Sequence, residues 1–185
     1  MRNLILPTED LIEPLIKKFF KQIWRFLLMV DGKIVIIGAD GQVGSELVKA
    51  FSEKAENNEL HALTINDLDI TDYAATRSKM KELKPSLVIN TAAFHKTEEC
   101  EKDIDTSFKV NCLAINNLAK VCKENNSVLV HFSSDYVFDG KKGLPYNEED
   151  IPNPINVYGL SKLCGEKVIQ KELERYFIIR SSYIF

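Results

Sequence analysis

From Lys33 onward the apolar residues follow two rhythms that alternate along the chain. Short apolar runs occur at Ile34-Val-Ile-Ile37, Leu60 to Ile65, Leu87-Val-Ile-Asn-Thr-Ala-Ala93, Val128-Leu-Val-His-Phe-Ser-Ser134 and Tyr176-Phe-Ile-Ile-Arg-Ser-Ser. Their length and β-branched content predict strands buried on both faces, as in a parallel sheet. Between them, apolar side chains recur at helical spacing after Gly44, over Asp72 to Lys84, over about Asp103 to Glu124, and from Pro154 through Tyr158 and Val168 to about Glu174. A Thr/Asp cap candidate opens the second of these helices and Pro85 stops it. Asn111 interrupts the third; a polar residue there either hydrogen-bonds and bends the backbone or faces water, and the pattern leaves both readings open. No hairpin signal breaks the alternation, so it predicts an α/β fold, a doubly wound parallel sheet of Rossmann type with right-handed crossovers.

Residues 1–30 follow a different pattern. Leu11, Ile12, Leu15, Ile16, Phe19, Phe20, Ile23, Trp24, Leu27 and Leu28 recur at helical spacing around Lys17, Lys18, Lys21 and Arg25. This predicts an N-terminal extension with a basic amphipathic helix, able to touch a membrane surface through residues 10–28 or to bind a partner. It is too interrupted by charge to span a bilayer and has no small-residue cleavage site. Met29 is an alternative start, since the strand at Ile34 needs nothing before it. The division expected is therefore an extension over 1–30 and one α/β domain over 31–185.

Composition narrows the function classes. With 185 residues, 45% of them hydrophobic, 28% charged and a formal charge of -3, the chain supports one sizeable core and lacks the basic excess of a nucleic-acid binder. Cys100, Cys112, Cys122 and Cys164 form no C-x-x-C pair and the three histidines are scattered. Reduced thiols in a cytoplasmic protein are expected, with no metal site.

Candidate chemistry lies at the strand ends. The first strand runs into Gly38-Ala-Asp-Gly41-Gln-Val-Gly44 and then a helix, an order that lets backbone approach a pyrophosphate at a helix N-terminus. The spacing is G-x-x-G-x-x-G, not G-x-G-x-x-G, and the strand and helix around it carry the nucleotide reading. After the second strand, Asn66, Asp67 and Asp69 are candidates for adenosine contacts. Asp67 is the nearest carboxylate for a ribose 2′-hydroxyl, which tilts the choice towards NADH. In parallel sheets ligands collect beyond the carboxyl ends of the strands, so Ser133 and Ser134 share an edge with Gly38 to Gly44 and Thr91 to Phe94. His131 reads as a satisfied core residue. Asp135 to Asn156 is a long polar loop of the kind that is often functional. Beyond it, Tyr158 and Lys162 stand four residues apart, on one helix face, close enough for the ammonium to favour the phenolate.

These motifs together resemble the extended short-chain dehydrogenase/reductases, and within them the dTDP-4-dehydrorhamnose reductases. The resemblance rests on Gly38 to Gly44 with Glu46-Leu47, Asn90-Thr-Ala-Ala93, Val110-Asn111, Ser133-Ser-Asp-Tyr-Val-Phe-Asp-Gly140, Pro154-Ile-Asn-Val-Tyr-Gly-Leu-Ser-Lys162 and Gly165-Glu166, over about residues 33–185. It implies reduction of the C4 ketone of a nucleotide sugar, dTDP-4-dehydro-L-rhamnose, by NADPH or NADH, with a homodimer left open. It also implies catalytic roles for Ser134, Tyr158 and Lys162. Cofactor contacts would come from Gly38, Gly41, Gln42, Val43 and Gly44 at the pyrophosphate, Asp69 and Ile70 at the adenine, Ala92 and Ala93 at the ribose side, and Tyr158 and Lys162. Some members bind magnesium through glutamates; only Glu46 has a counterpart here, so no metal is predicted. Family members also continue past the last strand into a substrate-binding part, which these 185 residues are expected to lack. A different class stays open: a non-catalytic NAD(P)-binding regulatory subunit resembling the methionine adenosyltransferase beta subunit.

Overall fold

The computed structural model of the chain describes residues 4–5, 32–54 and 59–182. A parallel sheet forms its centre. Its strands are β1 (Leu4–Ile5), β2 (Ile34–Ile37), β3 (Leu60–Leu63), β4 (Leu87–Asn90), β5 (Val128–Ser134) and β6 (Tyr176–Ser181), in the spatial order β1-β6-β5-β4-β2-β3. Every neighbouring pair is parallel. The helices are α1 (Gln42–Lys54), α2 (Tyr73–Leu83), α3 (Thr97–Lys102), α4 (Ile104–Phe108), α5 (Ala114–Glu124) and α6 (Val157–Glu172), with a π-helical segment at Lys109–Leu113 and a 3₁₀ turn at Asp135–Val137.

Period-two alternation along the strands divides the interior into two cores. Val35, Ile37, Val88, Leu129 and Ile178 pack with Met80 and Leu83 of α2, Ile115, Leu118 and Val121 of α5, and Ile169 of α6. Ile34, Ile36, Leu87, Ile89, Val128, Val130 and Ile179 pack with Leu47 and Phe51 of α1 on the other face. A fully buried side chain of this size contributes roughly 1.5–3 kcal/mol, so the strand runs must be apolar on both sides. Asp72 caps α2 by accepting from the Ala75 amide at 2.9 Å, and Lys84 ends that helix in the left-handed region at φ 48°.

Two expectations change. Leu4–Ile5, within the expected helical extension, forms a short strand beside β6; the amphipathic helix over 10–28 lies outside the described residues. Cys112 and Cys164, expected as thiols, are joined in a disulfide with Cα atoms 5.3 Å apart. Their separation of 52 residues hides a proximity created by the packing of the π-helical segment on α6. Cys100 and Cys122 are buried free thiols. Among the described residues no helix is long and apolar enough to cross a membrane.

Candidate active site

The chain leaves β2 for β3 on one side and β4 on the other, so the carboxyl ends of β2 and β4 flank a topological switch point, the place where an open α/β sheet offers a crevice. A cleft of about 990 Å³ opens there. Gly38 turns the chain out of β2 at φ +77°, a conformation favouring glycine, and a Cβ on it would lie 2.8 Å from both the Ala92 nitrogen and Thr91 Oγ1. Thr91 Oγ1 in turn lies 2.8 Å from the Ile37 carbonyl and 3.0 Å from that of Gly38. Gly44, in the first turn of α1, faces the Gly38 carbonyl so closely that a Cβ would collide with it. The three glycines thus serve different ends. Gly38 and Gly41 line the cleft with Gln42 and Val43, while Gly44 is buried behind them and lets the helix start against the turn. The result is a backbone cradle ending at a helix N-terminus, which fits the phosphates of a dinucleotide.

Asp69, Ile70, Ala92 and Ala93 line the same cleft. Asp67 does not. Its exposed carboxylate accepts from the Thr64 amide at 2.9 Å and the Thr64 hydroxyl at 2.8 Å, and these bonds hold it below the usual carboxylate range. The expected ribose partner is therefore committed to a turn, and of the two aspartates Asp69 is the one at the cleft. Glu46 is exposed on α1.

Ser134, Tyr158 and Lys162 come together on the opposite wall. Ser134 ends β5, donates to Asp135 Oδ1 at 3.1 Å and accepts from the Tyr136 amide at 3.2 Å. Tyr158 meets the Tyr136 ring edge-on, centroids 5.6 Å apart. Its phenol lies above its ordinary pKa: burial pushes it up, hydrogen bonding with Ser134 opposes this, and Cys100, Asp135 and Tyr136 add to the rise. The spacing of Tyr158 and Lys162 suggests the reverse direction. The reason is that Lys162 turns inward, donating from Nζ to the Phe132 carbonyl at 2.7 Å and standing 3.4 Å from His131 Nε2. Lys162 is 1% exposed, and burial lowers its pKa to about 8, with Glu166 opposing.

Behind this wall lies a charged network that sequence reasoning missed. Glu166, with no exposed surface, accepts from Ser133 Oγ at 2.6 Å and from Arg180 Nε at 2.9 Å and Nη2 at 2.6 Å. Arg180 also covers the Phe138 ring at 5.0 Å. Asn111, in the π-helical segment, resolves the choice left by its position: it is buried, accepts from the Phe94 amide at 2.9 Å, and donates to the Phe94 carbonyl at 2.8 Å and Ser161 Oγ at 3.0 Å. It therefore ties the loop after β4 to α6. Glu101 of α3 accepts from the Val157 amide at 2.7 Å and Asn156 from the Gly159 amide at 2.7 Å, so the orphan donors at the start of α6 are capped from two sides. Among the described residues no cluster of His, Cys, Asp and Glu is arranged to hold a metal.

A glycine turn at a switch point, faced by a tyrosine and a lysine on one helix, is the arrangement of a Rossmann-type protein of the extended short-chain dehydrogenase/reductase class. Within that class, the family described as RmlD substrate binding domain matches residues 32–185. The chain belongs to that family. It is 35% identical over 153 residues to a dTDP-4-dehydrorhamnose reductase of Aggregatibacter actinomycetemcomitans, covering 83% of this chain and 52% of that protein. Among solved structures, a dTDP-4-dehydrorhamnose reductase of Clostridium acetobutylicum superposes with a TM-score of 0.77 at 38% identity, over 80% of this chain and 52% of that one. The Bacillus anthracis reductase in complex with NADP gives 0.81 at 32% identity, over 84% and 55%. The chain spans about half the length of the relatives it matches.

Proposed function

We propose that this chain carries the cofactor-binding and proton-donating part of a dTDP-4-dehydrorhamnose reductase, which reduces the C4 ketone of dTDP-4-dehydro-L-rhamnose to give dTDP-L-rhamnose. The observation that carries the reading is the meeting of Ser134, Tyr158 and Lys162 across one cleft from the glycine turn. NADPH or NADH, when bound, would supply the hydride. Gly38, Gly41, Gln42 and Val43 would hold its pyrophosphate, with Gly44 keeping the turn closed, Asp69 and Ile70 at the adenine, and Ala92 and Ala93 at the ribose side. The NADP held by the Bacillus anthracis relative supports NADPH.

The proton chemistry follows from the side chains. Negative charge grows on the ketone oxygen as C4 is reduced; Tyr158 would donate to that oxygen, and Ser134, beside it on the cleft, would do so by turning its hydroxyl from Asp135. Tyr158 gives up its phenolic proton. Burial makes the phenolate costly, so a cation must face it. An ammonium has three hydrogens; two on Lys162 are taken by Phe132 and His131, and the third would serve the Tyr158 and nicotinamide-ribose side once the cofactor is bound. We place the reaction in the cytoplasm, on a nucleotide-sugar substrate, with a homodimer as the assembly to examine.

The test is oxidation of NADPH and NADH with dTDP-4-keto-6-deoxy-L-lyxo-hexulose, followed by absorbance, for the chain and for Tyr158→Phe. The variant should lose about 10²–10⁴-fold in rate while still binding cofactor. Equal rates would overturn the mechanism. Cofactor binding without turnover, with a synthetase co-purifying, would favour the regulatory reading.

A further inference from the structure

His131 lies in the middle of β5 with no exposed surface, and alternation along the strand turns it to the α6 side. Its ring spans two residues. Nδ1 is 3.1 Å from the side-chain amide of Asn90, its register partner on β4, and Nε2 is 3.4 Å from Lys162 Nζ. Burial holds the imidazole neutral, well below its ordinary pKa, and the Lys162 charge adds to this. A neutral imidazole donates once and accepts once. Lys162 as an ammonium can only donate, so Nε2 must accept and Nδ1 must carry the hydrogen.

That hydrogen needs an acceptor. With the Asn90 nitrogen towards the ring, two donors face one another and Asn90 Oδ1 is left without a partner. The ends of an amide exchange by a half-turn that leaves the carbon framework in place. Turned, Oδ1 accepts from Nδ1–H. The nitrogen then takes the unpartnered position and gives up its 3.4 Å contact with the Ala92 carbonyl. The turn costs a long neutral bond and leaves the amide hydrogens without an acceptor, against which stand the new bond from Nδ1–H and the relieved opposition of two buried donors.

We propose that His131 is a positioning residue for Lys162, its tautomer fixed by Asn90 so that Nε2 accepts from the lysine ammonium. The proposal rests on the reductase reading for its use. It assigns to strand β5 a part in keeping Lys162 charged and aimed while the other ammonium hydrogens serve Phe132 and the cleft. The charged and titratable groups around Lys162 are His131 from β5, Tyr158 and Glu166 from α6, and Arg180 from β6, which is paired with Glu166.

Two measurements on the full chain test this without substrate. First, ¹⁵N NMR of labelled histidine reads the tautomer of His131, assigned by the signal missing in His131→Gln. The Nδ1–H form is expected at pH 7, and the Nε2–H form or an imidazolium would overturn the proposal. Second, ¹⁵N-lysine NMR follows the titration of Lys162. Glutamine presents its terminal amide where Nε2 lies and asparagine only where Nδ1 lies. The midpoint should therefore stay near the parent value in His131→Gln and fall by about one pH unit in His131→Asn and His131→Leu. Equal midpoints in all four proteins would overturn it. If the leucine variant does not fold, the glutamine and asparagine pair still decides. A chain that binds neither NADPH nor NADH sinks the reductase reading and leaves both NMR outcomes interpretable.

Discussion

Lys162 is a cation removed from water, and its cost to stability depends on pH in a direction that can be worked out. Its pKa in the folded chain is about 8, against roughly 10.4 for a free lysine. Between those values the folded chain has released the proton while the unfolded chain still holds it. Stability must therefore rise with pH across that window, by roughly 3 kcal/mol in all. Below about pH 8 the whole penalty is present. Denaturant unfolding at pH 7.5 and pH 10.5 should show this rise in the parent relative to Lys162→Met, and parallel curves would contradict it. Glu166 and Arg180 behave differently, since both are buried and each needs the other. Replacing Glu166 by Leu strands the guanidinium and should cost about 3–5 kcal/mol, while Glu166→Leu with Arg180→Met should recover most of that. Chemical denaturation of the two variants checks it.

At the scale of elements, α6 is the piece that must be seated most closely, and two glycines seat it. A Cβ on Gly159 would strike the Tyr136 carbonyl, and one on Gly165 would strike that of Asn111. Both contacts are with backbone, which yields less readily than a side-chain tip. Gly165→Ala should therefore destabilise the chain by about 1–3 kcal/mol and weaken NAD(P)H binding together with stability. Thermal unfolding and cofactor titration on one preparation measure both, and an unchanged variant would show that the helix is free to shift. Loss of the Asn156 cap is a milder change: Asn156→Ala should cost about 1 kcal/mol.

Across the whole molecule, what could be read from sequence was what depends on local rhythm. The five strands from Ile34 onward and the helices between them follow from apolar spacing, and the glycine turn and the Tyr158–Lys162 pair follow from residues adjacent in sequence or one helical turn apart. What could not be read depends on distant residues meeting. Glu166 and Arg180 look like surface charges until α6 is laid on β6. Cys112 and Cys164 show no pairing signal until the π-helical segment meets α6. Asp67 and Asp69 are alike in sequence, and only the turn closed by Thr64 separates them. His131 in an apolar run reads as core, which it is; its contact with Lys162 needs the crossover from β5 to α6.

The π-helical segment at Lys109–Leu113 adds something that no side chain expresses. A π turn holds one residue more than the α-helix around it, so the register of α4 against α5 is set by a count of residues rather than by their kind. Removing Val110 would let the helix close as ordinary α, without the wide turn that presents Asn111 to the Phe94 backbone, which it now meets at 2.8 and 2.9 Å. Circular dichroism of that deletion should be unchanged while NAD(P)H binding falls away; full binding would show the bulge to be incidental. The cleft can thus be dismantled by losing a codon as surely as by changing one.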